Sequence, residues 1–171
     1  MKKTNKQIIT KCKKIKILAT DVDGVLTDGG MYYSEAGETL KKFNTRDGMA
    51  VEILSSIGIE TIFITRENSK IVKKRAKKVK AIESYIGILN KEKKLKDICK
   101  KYKLESYEIA YVGDDINDLE IIKKVGFSCC PLNAMDIIKE NVDYISTKNG
   151  GEGVFREIAD MIYFNKQKKS K

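Results

Sequence analysis

Histidine is absent from this 171-residue chain, and none of its four cysteines has the C-x-x-C spacing of a metal or redox motif. A zinc site usually takes its ligands from clustered cysteines and histidines, and a disulfide framework needs cysteines at paired spacings. Both are therefore excluded as the organising feature of the fold. The four thiols, Cys12, Cys99, Cys129 and Cys130, suit a reduced protein of the cytoplasm.

Long apolar runs are also missing. No stretch approaches the roughly 18 consecutive apolar residues that indicate a transmembrane helix. The N-terminal residues are basic, but charge returns at Lys11 before any adequate apolar segment, which argues against a signal peptide. With 42% hydrophobic residues, a chain of this length suits one domain with a sizeable core. We predict a basic lead-in over residues 1–15, a single domain over 16–164 and a basic tail over 165–171.

The formal net charge of +10 comes mostly from lysine. These lysines alternate with glutamate and isoleucine at helical spacing, rather than with the aromatic residues and glycine of a base-stacking surface. Solvated helix faces are the simplest interpretation, so neither a nucleic acid nor a membrane is predicted as a partner. The positive field would still favour a phosphorylated or carboxylated substrate.

Short apolar runs alternate with amphipathic segments along the chain. The pattern predicts strands at 16–20, 60–64, 79–84, 108–112, 127–130 and 144–145, with helices between them and a last helix at 154–164. This alternation is typical of an α/β fold, a doubly wound and mostly parallel sheet with helices on both faces. Residues 29–43 predict a β-hairpin that projects over the end of the first strand.

Polar side chains follow three of these strands. Asp21 and Asp23 follow the first, Thr65 the second, and a group with Asp114 and Asp118 the strand at 108–112. In a doubly wound sheet these strand ends meet at one edge. An isolated D-x-D would be more simply explained as an acidic capping turn, but several carboxylates without histidine call for a hard cation such as Mg²⁺. A hydroxyl and an ammonium nearby would clamp a phosphate, and one carboxylate could attack phosphorus.

A phosphorelay receiver domain is the first alternative, since it also combines Mg²⁺, carboxylates, a hydroxyl and a lysine. The order of its motifs differs, because here the second acidic cluster comes after both Thr65 and Lys91. The spacing instead resembles the haloacid dehalogenase-like phosphohydrolases over about residues 16–164. The motifs that carry the resemblance are Asp21-x-Asp23-Gly24-x-x-Thr27-Asp28, Thr65, Lys91 and Gly113-Asp114-Asp115-x-x-Asp118.

That resemblance implies a role for each motif residue. Asp21 would be the nucleophile, and Asp23 would protonate the leaving oxygen and then activate water. Thr65 and Lys91 would hold the phosphoryl oxygens. Mg²⁺ would be bound by the Asp21 side chain, the Asp23 carbonyl and Asp114, with Asp118 in its outer shell. Asp115 would orient Lys91 or a water on the metal.

The intervals between the motifs have room only for the hairpin and single helices, and neither can hold a cap domain. The resemblance is therefore to a branch of the family that lacks a cap domain. The resemblance to this branch implies a homotetramer in which a neighbour's hairpin and C-terminal segment close the site. Arg46-Asp47-Gly48 and residues 150–157 are typical of a branch that dephosphorylates 2-keto-3-deoxy sugar acids, either octulosonate 8-phosphate or nonulosonate 9-phosphates. A catalytically silent, oligomerising relative of sialic-acid activation is the alternative function, although no acidic motif residue is lost here.

Within that branch, Glu67, Lys78 and Glu152 resemble the nonulosonate type, whereas Arg66 departs from both types. Glu67 has a simpler explanation as support for the following helix N-terminus. Arg46, Arg66 and Arg156 all remain candidates for the cation that binds the substrate carboxylate. The full set of candidate substrate-binding residues is Thr27, Arg46, Arg66, Glu67, Lys78, Asp115 and Arg156.

Overall fold

The computed structural model describes residues 5–167 and confirms the α/β architecture. Its helices are α1 Asn5–Lys14, α2 Thr45–Ser55, α3 Lys70–Val79, α4 Lys91–Tyr102, α5 Leu119–Ile122, α6 Asp136–Lys139 and α7 Val154–Gln167. Its strands are β1 Ile17–Thr20, β2 Tyr32–Ser34, β3 Gly37–Leu40, β4 Glu60–Ile64, β5 Glu83–Tyr85, β6 Ile109–Val112, β7 Phe127–Cys130 and β8 Tyr144–Ile145. Among the described residues, no helix has the length and apolar character needed to cross a bilayer.

Six strands form one sheet in the order β5-β4-β1-β6-β7-β8, and every neighbouring pair is parallel. The first strand lies in the middle, with β4 on one side and β6 on the other. The chain therefore reverses its direction of winding at β1, and the crevice outside the carboxyl ends of β1 and β6 is the usual ligand site of such a sheet. The predicted convergence of Asp21, Thr65 and Asp114 at this edge follows from that order.

Each buried strand supplies side chains to both faces. On one face Leu18 and Phe63 pack with residues of α1, α2, α3 and α7, and on the other Ile17 and Ile62 pack with α4, α5 and α6. Successive strand residues point to opposite faces, so a sheet covered by helices on both sides needs continuous apolar strands. This explains why all four residues of β1 are buried.

The first helix contributes more to the core than a weakly packed lead-in would. Cys12 and Ile15 are fully buried, and the core cluster they join includes residues of α7. Lys11 also forms an ion pair with Asp143 at 2.5 Å, which ties α1 to the loop before β8. The inner face of α1 is thus part of the hydrophobic core, although the segment lies before the predicted boundary at residue 16.

Several helix ends differ from the predicted ones. The second helix begins at Thr45, because the side chain of Asn44 accepts a hydrogen bond from the backbone N–H of Arg46 and caps it. The third helix continues to Val79, so β5 starts later than predicted, at Glu83. The last helix continues to Gln167, past the predicted start of the tail, and residues 168–171 lie outside the described part of the chain.

The predicted hairpin is present as a separate two-stranded sheet of β2 and β3. All three residues of β2 are exposed, and Tyr33 and Leu40 are each 63% exposed. The hairpin therefore projects from the domain.

The packing of α1 predicts a large stability difference between two isoleucines. We expect Ile15→Ala to lower the free energy of unfolding by about 2–5 kcal/mol, because Ile15, the residue after α1, is fully buried and its truncation opens a cavity in the core that α1 joins. The control Ile9→Ala, at a residue that is 37% exposed, should change it by less than about 0.5 kcal/mol. Urea unfolding followed by circular dichroism measures both, and equal values would mean that α1 is not part of the core.

Candidate active site

Asp21 lies directly after β1 at the carboxyl edge of the sheet. Its backbone N–H donates to the carbonyl of Val112 in β6 at 2.8 Å, which extends the β1–β6 pairing by one residue. Its Oδ1 accepts a hydrogen bond from the N–H of Val22 at 2.7 Å. The backbone thus fixes both the position and the rotamer of a carboxylate that is only 5% exposed.

Lys91 is the buried cation of this site. It is the first residue of α4, and its Nζ lies 2.9 Å from Oδ2 of Asp21 and 2.6 Å from Oδ1 of Asp118. The helix begins here because Asn90 accepts a hydrogen bond from the N–H of Lys93 and caps the first turn. The lysine predicted to hold phosphoryl oxygens, Lys91, thus lies beside the acidic group.

Asp118 is fully buried and organises the loop after β6. Besides Lys91, it accepts a hydrogen bond from the hydroxyl of Tyr111 at 2.6 Å and one from the N–H of Asp114 at 3.0 Å. A Cβ at Gly113 would lie 2.5 Å from Cγ of Asp118, so only glycine allows this close approach. Asp118 therefore holds both the ammonium of Lys91 and the backbone that carries Asp114.

The carboxylates of Asp21, Asp114 and Asp118 form a group that fits a divalent cation. One oxygen from each lies within 4.8 Å of the others, and Oδ1 of Asp114 is buried with no hydrogen-bond partner among residues 5–167. Buried polar atoms normally have partners, so this oxygen indicates a missing ligand. A donor set of oxygens alone suits Mg²⁺ rather than zinc or copper.

Burial and mutual repulsion set the pKa values in this group. Burial, together with the charge of Asp118, raises the pKa of Asp21 well above its ordinary value. The same two causes raise the pKa of Asp114 to about 7. Burial lowers the pKa of Lys91, but the charges of Asp21 and Asp118 outweigh it and leave that pKa above its ordinary value. One ammonium is thus too little to balance three carboxylates.

Thr65 follows β4 and is also buried at this edge. Its N–H donates to the carbonyl of Tyr85, and its Oγ1 accepts a hydrogen bond from the N–H of Glu67 at 3.1 Å. Arg66 and Glu67 are exposed in the loop that leads to α3. Glu67 is thus exposed to solvent just before the first turn of α3, a position compatible with substrate binding and with support of the helix N-terminus.

Asp23 is held by the hairpin, which the sequence did not indicate. Its Oδ1 lies 2.5 Å from Nζ of Lys41, whereas its Oδ2 is buried and has no hydrogen-bond partner in the described part of the chain. The same ammonium lies 2.6 Å from Oε1 of Glu38, whose Oε2 accepts a hydrogen bond from the Ser69 hydroxyl at 2.5 Å. Lys41 is one of 34 basic residues, and only its place at the end of the hairpin strand distinguishes it.

Two predicted substrate-binding residues have bonds within their own loops. The hydroxyl of Thr27 is fully buried and accepts hydrogen bonds from the N–H groups of Gly24 and Gly29, at 3.4 and 3.2 Å. The carboxylate of Asp115 accepts from the N–H of Ile116 at 2.6 Å. The carboxylates that contact Lys91 belong to Asp21 and Asp118, so the expected orientation of Lys91 by Asp115 is not what the structure has.

Lys78 does not reach the site within one chain. It is exposed near the end of α3, and α3 leads back to the start of β5, a strand parallel to β4. The last turn of α3 therefore lies at the opposite edge of the sheet from the acidic group. Sequence spacing from Glu67 cannot show this, because it does not record the direction of the helix.

The remaining two candidate arginines lie on α2 and α7. Arg46 is exposed in the first turn of α2. The side chain of Arg156 pairs through Nε with Asp160 at 2.8 Å, and the backbone N–H of Arg156 donates to Oδ1 of Asp47 at 2.9 Å. Arg156 is thus engaged within α7, and Arg46 is the freer of the two.

A glycine turn before α7 supports the loop that carries Asp23. A Cβ on Gly150 would lie 1.9 Å from the carbonyl oxygen of Gly24, and Gly151 has a φ of +74° that favours glycine. The carbonyl of Gly151 also accepts a hydrogen bond from the Asn44 side chain at 3.0 Å. The exposed Glu152 lies in this turn and accepts from the N–H of Asn149 at 3.4 Å.

Comparison with known proteins gives consistent results. The sequence profile of the haloacid dehalogenase-like hydrolases matches residues 52–158. The 3-deoxy-D-manno-octulosonate 8-phosphate phosphatase of Salmonella typhi is 36% identical over 155 residues, which cover 91% of this chain and 82% of that protein.

Two solved structures are similar in fold and sequence. The Moraxella catarrhalis 3-deoxy-D-manno-octulosonate 8-phosphate phosphatase, in complex with magnesium, phosphate and KDO, has a TM-score of 0.91 and 36% identity, covering 95% of this chain and 93% of that one. The cobalt-bound Haemophilus influenzae phosphatase of the same name has a TM-score of 0.89 and 35% identity, with 91% of each chain covered.

The raised pKa of Asp114 predicts a pH-dependent response to metal. Since the folded protein holds a proton on Asp114 up to about pH 7, this group makes the metal-free protein progressively less stable from about pH 4 to 7. Mg²⁺ competes with that proton, so it should raise the melting temperature more at pH 8 than at pH 5.

Differential scanning fluorimetry with and without Mg²⁺ measures this difference, with Asp97→Asn, an exposed carboxylate on α4, as the control. Asp114→Asn should abolish the response to Mg²⁺, and the control should keep it. An equal shift at both pH values in the unaltered protein would contradict the assignment.

Proposed function

This chain belongs to the haloacid dehalogenase-like hydrolases and is a phosphoric monoester hydrolase, and we propose that it dephosphorylates a 2-keto-3-deoxy sugar acid through an aspartyl-phosphate at Asp21. One observation carries the proposal. Oδ2 of Asp21 lies 2.9 Å from the buried ammonium of Lys91, beside an acidic group that fits a divalent cation. The candidate nucleophile thus contacts the cation that would bind the phosphoryl oxygens, and it belongs to the group of carboxylates that could hold a metal ion.

In the first step, Oδ2 of Asp21 attacks phosphorus and the bond to the sugar oxygen breaks. The backbone bonds of Asp21 hold its carboxylate in place for this attack, and such positioning lowers the barrier to forming the aspartyl-phosphate. Lys91 and the Thr65 hydroxyl would bind phosphoryl oxygens as negative charge develops on them. Asp21, the Asp23 carbonyl and Asp114 would hold Mg²⁺, which supplies further charge neutralisation at those oxygens.

Asp23 handles the proton in both steps. It would give a proton to the leaving sugar oxygen, and the resulting carboxylate would then take one from the water that hydrolyses the aspartyl-phosphate. Its Oδ2, buried and without a partner, is available for this transfer. The first step thus produces the Asp23 carboxylate that the second step needs as a base.

We favour 3-deoxy-D-manno-octulosonate 8-phosphate as the substrate. The supporting observation is that relatives 35–36% identical, over most of their length, are named for that reaction. The residues that resemble the nonulosonate 9-phosphate type give weaker support, since Lys78 lies at the opposite edge of the sheet from the acidic group within one chain. Arg46, exposed beside the hairpin, is our candidate for binding the substrate carboxylate.

The proposal includes assembly into a homotetramer in which a neighbour's hairpin covers the site. The apolar side chains on the hairpin, Met31, Tyr32, Tyr33 and Leu40, are 44%, 50%, 63% and 63% exposed. A cluster of this kind is more typical of a protein interface than of a free surface. A site covered in this way would exclude water and strengthen the charges within it.

The catalytic proposal predicts phosphate release that requires both Mg²⁺ and Asp21. We expect Asp21→Asn to lower kcat by more than about 10³-fold, because the covalent route is lost. Asp28→Asn is the matched control, since Asp28 is exposed in the same loop and pairs with Lys42. Malachite-green detection of released phosphate measures the activity of both variants, and full activity of Asp21→Asn would refute the mechanism.

The same assay compares substrates. Octulosonate 8-phosphate should have a kcat/KM at least about tenfold above that of two nonulosonate 9-phosphates, a difference of about 1.4 kcal/mol in transition-state binding. A reversed order would assign the enzyme to the nonulosonate type. An inert protein would instead favour the silent oligomerising relative.

The exposed hairpin predicts a testable assembly. The unaltered chain should elute with the mass of four copies, and the double change Tyr33→Asp with Leu40→Asp should give smaller species, since buried charge disfavours an interface. Light scattering after size exclusion measures the mass. Tyr107→Asp, at a residue that is 54% exposed on another surface, is the control. A monomeric unaltered chain would contradict the proposed assembly.

A further inference from the structure

The end of the hairpin carries a buried ion-pair chain that the phosphatase motifs do not include. The Lys41 side chain is 0% exposed, although most residues of the hairpin are exposed. Its ammonium lies between Oδ1 of Asp23 at 2.5 Å and Oε1 of Glu38 at 2.6 Å. A lysine without solvent is rarely found unpaired, and this one has two carboxylates.

The chain continues to the loop after β4. Ser69 occupies the N-cap position of α3, yet its side chain makes no capping bond. Its hydroxyl instead donates to Oε2 of Glu38 at 2.5 Å. The hairpin thus connects the loop of Asp23 with the loop that follows Thr65, and it does so through side chains.

We propose that Lys41 is a positioning residue for catalysis, which holds Oδ1 of Asp23 so that Oδ2 alone transfers the proton to the leaving oxygen. This inference rests on the proposed role of Asp23 as proton donor. A carboxylate has two equivalent oxygens, and an unheld side chain would present either of them in several rotamers. With Oδ1 bound to Lys41, Oδ2 is the oxygen that remains available for the transfer, since it is buried with no hydrogen-bond partner among the described residues.

Glu38 is the second part of this arrangement. It fixes Lys41 from the side opposite to Asp23, and Ser69 in turn fixes Glu38. Removing the negative charge of Glu38 should loosen Lys41 without removing it. Lys41 would therefore lose only part of its effect on Asp23.

A positioning role makes a prediction about leaving groups that a merely structural role does not. Proton donation matters for phenyl phosphate, whose leaving oxygen is basic, and little for 4-nitrophenyl phosphate, whose leaving anion is stable at neutral pH. Neither compound carries a sugar, so a direct contact of Lys41 with the sugar acid would affect neither of them.

We expect Lys41→Met to lower kcat/KM about 100-fold for phenyl phosphate, since general acid catalysis contributes about 10²–10⁴-fold. For 4-nitrophenyl phosphate the loss should stay below about threefold. Lys41→Arg, which keeps the cation, should recover most of the activity toward phenyl phosphate, and Glu38→Gln should fall between the unaltered protein and Lys41→Met.

Lys42→Met is the matched control, since it makes the same chemical change one residue away. The Lys42 side chain is 71% exposed and pairs only with Asp28, at 3.3 Å, among the ion pairs of the described chain. Lys42→Met should leave kcat/KM for phenyl phosphate and for 4-nitrophenyl phosphate within about twofold of the unaltered protein. The melting temperature of each variant measures whether it is folded.

Two results would overturn the inference. Equal losses for both substrates in a folded Lys41→Met protein would show that the residue only supports the fold, and no loss for either would show that it does not position Asp23. If Lys41→Met does not fold, the same comparison on Glu38→Gln decides. Absence of any phosphatase activity in the unaltered protein would instead overturn the proposed function.

Discussion

The burial of several carboxylates around one ammonium is the constraint on which this site depends. Lys91 contacts Asp21 and Asp118 at once, and its ammonium offsets part of the repulsion between these two buried side chains. Asp114 adds a third acid that Lys91 does not contact among the ion pairs of the described residues. The negative charge that remains is what makes a divalent cation the natural completion of the site, and the raised pKa values of Asp21 and Asp114 express the same shortage of positive charge.

The sheet order makes this crowding possible. With β1 between β4 and β6, the residues that follow these three strands share one crevice. Glycine suits position 24 for two reasons: its φ of +80° lies in the left-handed region, and a Cβ there would lie 2.0 Å from Oδ2 of Asp114. A larger residue at this position would therefore displace the carboxylate of Asp114.

The elements and the acidic group could be predicted because each depends on local patterns. Apolar runs indicate buried strands, and the polar residues after them indicate one edge of the sheet. The contact of Lys41 with Asp23 could not be predicted, because a single lysine among many carries no local signal of its partner. The direction of α3, which takes Lys78 away from the site, and the burial of Ile15 likewise depend on tertiary packing.

The hairpin connects the two parts of the account. It carries exposed apolar side chains on its strands and a buried ion pair at its base, so an event at one end can affect the other. Docking of a neighbour on the strands would stabilise the hairpin, and a stabilised hairpin would hold Lys41 against Asp23. If the chain assembles as we propose, assembly would thus also help to place the proposed proton donor.

In the proposed reaction, Asp21 becomes covalently phosphorylated. Rapid acid quench of the enzyme with ³²P-labelled octulosonate 8-phosphate, followed by peptide mapping, tests it most directly. The account predicts transient label on the peptide that contains Asp21, and none in the Asp21→Asn protein. Phosphate release with no labelled protein at any time, or label on another residue, would contradict it.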